Sequence, residues 1–357
     1  MSPLSVGLIG CGFIGRFHST AIRGLSRLRL VDVDYRVVCD LDEGRARSFA
    51  DAANVPRVTT DPHDVIDAKD IDVVYICVPT AAHKDLVLRA AANGRHVFCE
   101  KPLATNLSDV EEIVAAVDSA GVFAGVGLVL RHSPILTVLK SLMEDPTLGR
   151  LMTIVLRDDQ FFPIQGHYSS DWRKDKNQAG AGTLLEHSIH DVDLLRWLAG
   201  DVTTVRGTTR NFAGHDGIED LAMAHLEFES GASASLTSIW HNVLGRPSTR
   251  RIEVFMENGV FTLDDDFLGP IELQTHALTR EVIAEEEVRR RYLEMVKMAE
   301  PTRAEALKYS FEDYFYLRAV QEGTQPFPDF KVALEAHRIV DAAYRSAALG
   351  GDVVTLD

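Results

Sequence analysis

The residues best suited to chemistry fall in three places. Glu186, His190 and Asp193 recur at spacings of four and three along Leu184 to Leu198, a stretch with a helical pattern, so they share one face. A carboxylate one turn before an imidazole can hold the ring's tautomer and raise its basicity, which is what a general base needs. His187 points about a quarter turn away. The other reading of this segment is a metal site, because Glu186, His187 and His190 include ligand types. Only Glu186 and His190 would face together, without the closely spaced histidine pair of a helical zinc motif, so no metal is expected.

Lys101 is the second place. It follows the strand pattern His96-Val97-Phe98-Cys99 within Glu100-Lys101-Pro102. The third is the opening, where a short apolar run from Leu4 ends in Gly10, Gly12 and Gly15, spaced GxGxxG, and a helical pattern from Arg16 to Leu25 follows. Gly10 permits the turn, Gly12 lets backbone approach a pyrophosphate, and Gly15 lets helix and strand pack closely. The unpaired amides of the first helical turn then face the anion together with the positive end of the helix dipole. A second strand, Tyr35 to Cys39, ends on Asp40. That carboxylate can accept both ribose hydroxyls of an adenosine and would repel a 2'-phosphate, so NAD is expected rather than NADP. Asp40 lies further along than the usual spacing of about 20 residues. Leu28 to Asp34 reads as extra connection, and Asp42 is the fallback acid.

These groups need a scaffold. Glu43 to Ala53 reads as a helix, Ile71 to Val78 as a strand covered on both faces, and Lys84 to Asn93 as a helix closed by Gly94. Leu107 to Ala120 is another helix and Val122 to Leu130 another strand. Such alternation predicts a parallel sheet with right-handed crossovers. Asp40, Thr80 and Lys101 all fall at carboxyl ends of its strands, where an open parallel sheet binds its ligand. From Leu151 the pattern changes to strands without intervening helices: Leu151 to Leu156, Val202 to Phe212, Leu221 to Glu229, Ala232 to Trp240, Arg251 to Glu257 and Val260 to Leu263. Ser230-Gly231 and Asn258-Gly259 supply hairpin signals between them. Glu281 to Ala299 reads as a solvated helix with Glu285-Arg289, Glu286-Arg290 and Glu287-Arg291 as i,i+4 pairs, and Phe330 to Ala348 as a closing helix. The expected fold is therefore a dinucleotide-binding Rossmann domain over residues 1–130, then an α+β domain over residues 131–357 with an open, mainly antiparallel sheet.

Length and charge narrow the function. A chain of 357 residues exceeds what one core usually fills, so two domains are expected. With 37 Lys and Arg against 53 Asp and Glu, the formal charge of -16 repels a phosphate backbone, and no basic block offsets it. Nucleic acid is not an expected partner. The N-terminus carries no export pattern and no apolar run reaches membrane-spanning length, so a cytoplasmic protein without a membrane partner is expected. Cys11, Cys39, Cys77 and Cys99 each fall in or just after a predicted strand and read as ordinary buried thiols, not disulfide or zinc ligands.

Over essentially its whole length the sequence resembles the glucose-fructose oxidoreductase, inositol dehydrogenase and rhizopine-catabolism (Gfo/Idh/MocA) family. The likeness rests on Gly10 to Gly15 with His18, Val78-Pro79-Thr80 with His83, Gly94 to Pro102, Trp172-Arg173, the Glu186 to Asp193 segment and the closing Ala342 to Ala347 segment. It implies a Rossmann domain joined to an antiparallel sheet domain, with homodimers or homotetramers paired through that sheet. The activity implied is NAD(P)-dependent oxidation or reduction of a sugar or cyclitol carbon. Lys101 takes the role of binding and polarising the reacting oxygen, His190 that of proton acceptor, and Glu186 that of the acid orienting it. Pro79, Thr80, His83, Glu100 and Lys101 join the glycines, Phe13, Ile14 and Asp40 as cofactor-binding residues. His83 also fits a plain helix start. Trp172, Arg173, His187, His190, Asp193 and Lys101 form the substrate-binding set. The family's usual acid upstream of the histidine is aspartate, and Ser188 stands where a glycine is usual.

Gln160, Phe161, Phe162, His167, Tyr168, Trp172, Arg173 and Lys176, between the sheet's first strand and the glycine loop, are candidates for lining a sugar pocket. The reading is an NAD-dependent oxidoreductase that moves a hydride between a secondary carbinol and the nicotinamide. Two alternatives stand beside it: a glycoside-cleaving enzyme that oxidises transiently and eliminates, and a non-catalytic NAD-binding sensor.

Overall fold

The structure is a computed structural model that describes residues 3–277, 280–297 and 311–356. The chain divides into two compact units, Met1–Val129 with Ala299–Leu334 and Leu130–Met298 with Glu335–Asp357. The division falls inside the helix Phe330–Ala348.

The first unit is built on six parallel strands, β1 (Leu4–Ile9), β2 (Val33–Cys39), β3 (Arg57–Thr59), β4 (Val73–Ile76), β5 (His96–Cys99) and β6 (Ala124–Val126). Their order, β3-β2-β1-β4-β5-β6, is the doubly wound Rossmann order. All of β4 is buried, as its unbroken apolar run requires of a strand covered on both faces. The helix Glu43–Ala53 starts where Asp42 accepts from Arg45 N and stops at Asn54 in the left-handed region. The segment from Phe311 belongs to this unit because Tyr316, on the helix Phe311–Glu322, packs edge-on against Tyr75 of β4 and Phe98 of β5. Tyr75 and Phe98 stack on each other at 4.8 Å between ring centres.

The second unit carries nine strands: β7 (Leu151–Phe161), β8 (Val202–Arg210), β9 (Leu221–Phe228), β10 (Ser233–His241), β11 (Thr249–Met256), β12 (Gly259–Leu263), β13 (Ile271–Thr275), β14 (Arg280–Ile283) and β15 (Val354–Thr355). The order is β14-β13-β12-β11-β7-β10-β9-β8-β15, and every pairing is antiparallel except β7 with β10. Along β9, Ala222, Ala224, Leu226 and Phe228 are buried while Met223, His225 and Glu227 are exposed, so one face of the sheet is core and the other is open. Short β13, β14 and β15 extend the sheet beyond the strands legible in the sequence. On the core face, Gly207 N of β8 donates to Ser346 Oγ on the closing helix.

Four local expectations change. The helix expected over Leu184 to Leu198 is two pieces, Thr183–Glu186 and Ile189–Ala199, broken at His187 and Ser188. In the second hairpin Gly259 already pairs with Met256, so the turn residues are Glu257 and Asn258. Glu257 binds the Arg150 side chain, Asn258 Nδ2 donates to Thr147 O, and a Cβ on Gly259 would lie 2.8 Å from Leu148 Cδ2. That glycine therefore serves close packing and not a left-handed turn. Val122 to Leu130 gives only the three residues of β6, after which Gly127 packs beneath Glu100. The charged helix runs Glu285–Met295, its expected start forms β14, and residues 298–299 of that expectation lie outside the described residues. Glu285 pairs with Arg289 and Glu287 with Arg291, while Arg290 reaches Glu287 and Glu294.

Candidate active site

In the first unit the glycine turn is shaped by what lies behind it. Gly10 has φ +102°, and a Cβ there would lie 2.2 Å from Cys77 O, so any side chain would force β1 away from its neighbour. A Cβ on Gly15 would lie 2.0 Å from Gly10 O, while one on Gly12 would meet nothing within 4 Å. Gly12 is also the N-cap of the helix Phe13–Arg27, which has no side-chain cap, the arrangement that an anion completes. Asp40, at the end of β2, is buried and joined to this turn: its Oδ2 accepts from Cys11 N at 2.9 Å and its Oδ1 from Asp42 N at 2.9 Å. The long connection before β2 leaves the acid in place because the helix runs on to Arg27 and β2 begins at Val33. Asp42, the fallback acid, is engaged as a helix cap. An open glycine, an uncapped helix start and a buried acid joined to them through Cys11 fit a dinucleotide.

Thr80 opens a short turn, Thr80–Ala82, and His83 starts the helix His83–Ala92. The His83 ring lies 2.8 Å from Pro102 O through Nδ1 and 2.9 Å from Val78 O through Nε2. It thereby clamps the loop of Pro79 and Thr80 to the loop of Glu100 and Lys101. Below Lys101, Glu100 Oε2 accepts from Lys101 N at 3.2 Å and Oε1 lies 2.7 Å from His18 Nε2. His18 Nδ1 lies 2.9 Å from Asp313 Oδ1. Burial disfavours a charged ring, yet Asp313 and then Glu100 raise the pKa of His18 well above its ordinary value. His18, Glu100 and Glu312 place three ligand-type atoms within 4.8 Å of one another. Both His18 nitrogens are already committed to Glu100 and Asp313.

In the second unit the glycine loop is ordered by Glu219, whose carboxylate accepts from Gly182 N, Leu184 N and the Tyr344 hydroxyl. This carboxylate caps the first helical piece, so the loop's own amides are used internally. Glu186 accepts from Arg173 Nε at 3.2 Å, and the Arg173 guanidinium stacks 4.4 Å over Trp172. Asp193 is fully buried in a two-bond pair with Arg131, each bond 2.8 Å. Of the candidates for a sugar pocket, Gln160 and Phe161 end β7, and Phe162 packs on Trp240 in a small core cluster with Trp172 at its edge.

The bend at His187 and Ser188 exists because both residues reach the sheet. Ser188 Oγ bonds Ser238 Oγ at 2.7 Å, and His187 Nε2 lies 2.7 Å from Asp158 Oδ2. The serine at the family's glycine position is thus a hydrogen-bonding residue. Arg250 Nη2 donates to Asp158 and Nε to Asp191, and Nη1 bonds Asp266. Burial pushes Asp191 up to about 7, with Arg250 opposing and Asp158 adding to the rise. Asp158, Asp191, Ser238, Arg250 and Asp266 were not singled out by sequence reasoning. Their one signal is the run of two aspartates, Asp158 and Asp159, closing an apolar strand.

Residues 4–128 match the model of an oxidoreductase family with an NAD-binding Rossmann fold, and residues 136–262 match the Gfo/Idh/MocA C-terminal domain. The chain is a Gfo/Idh/MocA oxidoreductase. Its first unit accordingly carries an NAD-binding Rossmann fold. The myo-inositol 2-dehydrogenase of Thermotoga maritima is 29% identical over 73% of this chain and 75% of that one. The levoglucosan dehydrogenase of Pseudarthrobacter phenanthrenivorans is 25% identical over 98% and 97%. Among solved structures, a levoglucosan dehydrogenase in complex with NADH and levoglucosan shares the fold at a TM-score of 0.86 and 22% identity, covering 99% of each chain. Among the described residues of this Gfo/Idh/MocA protein, no helix is long and apolar enough to cross a membrane.

Proposed function

We propose that this oxidoreductase acts on a secondary hydroxyl of a sugar or cyclitol, or on the corresponding ketone. The observation that carries the reading is the nucleotide-shaped end of the first unit, where the open Gly12 and Asp40 lie at the same strand ends as Glu100 and Lys101. Related dehydrogenases of inositol and levoglucosan support a polyol or anhydrosugar as the substrate class. NAD, when bound, supplies the hydride acceptor or donor. Gly10, Gly12, Phe13, Ile14, Gly15 and Asp40 would hold it, with Pro79, Thr80, His83, Glu100 and Lys101 at the neighbouring strand ends. Lys101 donates to the reacting oxygen and stabilises negative charge developing there. His190 takes the hydroxyl proton, with Glu186 as the acid that orients it and Arg173 fixing that acid. Trp172, Arg173, His187 and Asp193 complete the substrate set, Asp193 acting through its pair with Arg131.

The same reading makes residues 1–130 the nucleotide domain and residues 131–357 the domain that selects substrate and pairs subunits. Val155 and Met223 are exposed on the open face of the sheet and support a homodimer or homotetramer joined there. The strongly acidic charge supports the absence of a nucleic-acid partner. Four free, buried cysteines support a cytoplasmic enzyme.

The test is reduced-nicotinamide absorbance after mixing the protein and NAD with inositols, aldoses, anhydrosugars and glycosides. Lys101→Ala and His190→Ala should each lower turnover on the order of a hundredfold or more, with NAD affinity nearly unchanged. Unchanged turnover in either variant removes that residue from the reaction, and silence of the wild type on every polyol removes the reading.

A further inference from the structure

The residues on either side of Lys101 are each bonded to a buried histidine. Glu100 Oε1 lies 2.7 Å from His18 Nε2, and Pro102 O lies 2.8 Å from His83 Nδ1. The two rings come from different elements of the first unit, His18 from the helix Phe13–Arg27 and His83 from the start of the helix His83–Ala92. Each ring has its other nitrogen on a point away from Lys101. His18 Nδ1 lies 2.9 Å from Asp313 Oδ1, and His83 Nε2 lies 2.9 Å from Val78 O, just past β4. Both rings are buried.

The partners decide how the rings are used. A backbone carbonyl only accepts, so His83 must donate from both nitrogens to hold Val78 and Pro102. His18 faces two carboxylates, and its raised pKa leaves both of its nitrogens protonated as well. Each imidazole is therefore a strut with a donor at either end. Glu100 carries the hold of His18 onward, because its Oε2 accepts from Lys101 N at 3.2 Å. That carboxylate has little room to swing, since a Cβ on Gly127 would lie 2.6 Å from Oε1. His18 is itself wedged against the sheet, its ring centre 4.9 Å from that of Phe98 and 5.7 Å from that of Tyr75.

We propose that His18 and His83 are positioning residues for Lys101, gripping the chain on both sides of it so that its ammonium meets the reacting oxygen at a fixed place. This rests on the reading above, in which Lys101 donates to that oxygen. A lysine ammonium rides on a flexible stem, so it can be aimed only from a fixed base. Misplacing a reacting group by about 1 Å can cost on the order of a hundredfold in rate. The two struts restrain different directions. His18 ties the chain at Lys101 to the helix Phe311–Glu322 through Asp313, and His83 ties it to the end of β4 through Val78.

The test exchanges each histidine for the two side-chain amides in the full-length protein and measures kcat per molecule of bound NADH on a polyol that the wild type oxidises. On the side chain, the asparagine nitrogen stands where Nδ1 stands and the glutamine nitrogen where Nε2 stands. His18→Gln therefore keeps the donor to Glu100, and His18→Asn only the one to Asp313. His83→Asn keeps the donor to Pro102, and His83→Gln only the one to Val78. Turnover should be about fivefold or more higher in His18→Gln than in His18→Asn, and about fivefold or more higher in His83→Asn than in His83→Gln. A packing role would favour the same amide at both places. In a Lys101→Ala background both differences should vanish, because both rings act through Lys101. Should the exchanges at one histidine fail to fold, the other pair decides. The same amide favoured at both places, equal turnover within a pair, or a difference that persists without Lys101 overturns the proposal alone. Undiminished turnover in Lys101→Ala, or wild-type silence on every polyol, overturns it together with the reading beneath it.

Discussion

In the first unit a buried cation, His18, lies between Glu100 and Asp313; in the second Arg250 lies buried among Asp158, Asp191 and Asp266. Both clusters tie distant segments to a strand end or strand face, and both hold more carboxylates than cations. They differ in which member can change charge. An imidazole can lose its proton, so the first cluster adjusts through its cation. A guanidinium cannot within any ordinary pH range, so the second adjusts through its acids. Glu100 shows one side of this: against the cost of burial, His18 and then Lys101 hold it below the usual carboxylate range. Asp158 and Asp191 show the other, both raised by burial despite Arg250.

Removing a cation is the strongest way to break the comparison. Arg250→Met leaves three carboxylates facing one another and should cost about 3–5 kcal/mol in denaturant unfolding, since a buried pair that loses one partner leaves unmatched charge. A loss under about 1 kcal/mol would mean that the three acids take up protons and do not depend on the guanidinium.

His18→Gln should cost less, about 1–3 kcal/mol near neutrality. Because the folded-state pKa of His18 is raised, its contribution is fully present below the unfolded value of about 6.5 and is lost as pH rises through the higher folded value. The gap between variant and wild type, followed by unfolding across that range, should therefore narrow on the alkaline side. A gap that stays constant with pH would show that the ring acts by packing alone.

The smallest change is Asp191→Asn. A raised acid contributes stability that is fully present below its unfolded pKa of about 3.9 and is lost as pH rises through the folded value of about 7. The amide imitates the protonated acid, so melting temperatures of the variant should vary less between about pH 4 and 7 than those of the wild type. Identical pH dependence in variant and wild type would show that Asp191 is not the acid whose protonation burial favours.

Much of the first unit was legible because its chemistry is local. Gly10, Gly12, Gly15 and Asp40 sit beside strands whose apolar runs fix where they end, and structure added mainly the bond from Cys11 N to Asp40. The second unit was harder for a physical reason. Glu186, His190 and Asp193 fit one helix by spacing, but hydrogen bonds from His187 and Ser188 to Asp158 and Ser238 outweigh the cost of interrupting it. Arg250 and Asp158 are 92 positions apart and each reads as an ordinary polar residue in an alternating strand. Only the pairing of β11 with β7 brings them together. The turn at Glu257 and Asn258 was misplaced by one residue because an Asn-Gly pair is a strong hairpin signal, and nothing local reveals that Leu148 lies behind Gly259.

Consecutive strand residues face opposite sides, so Asp158 looks into the core toward Arg250 while Asp159 looks out toward Arg157 and Arg246. If β7 were threaded one residue out of step, the outward aspartate would be turned inward and the inward one outward, and each would leave its arginine behind. Apolar strands forgive that kind of error more readily, since one aliphatic side chain can stand in for another. The polar row through Ser238, Asp158 and Arg250 does not, and so it acts as a check on assembly: during folding, only the correctly aligned central strand can be locked into the sheet.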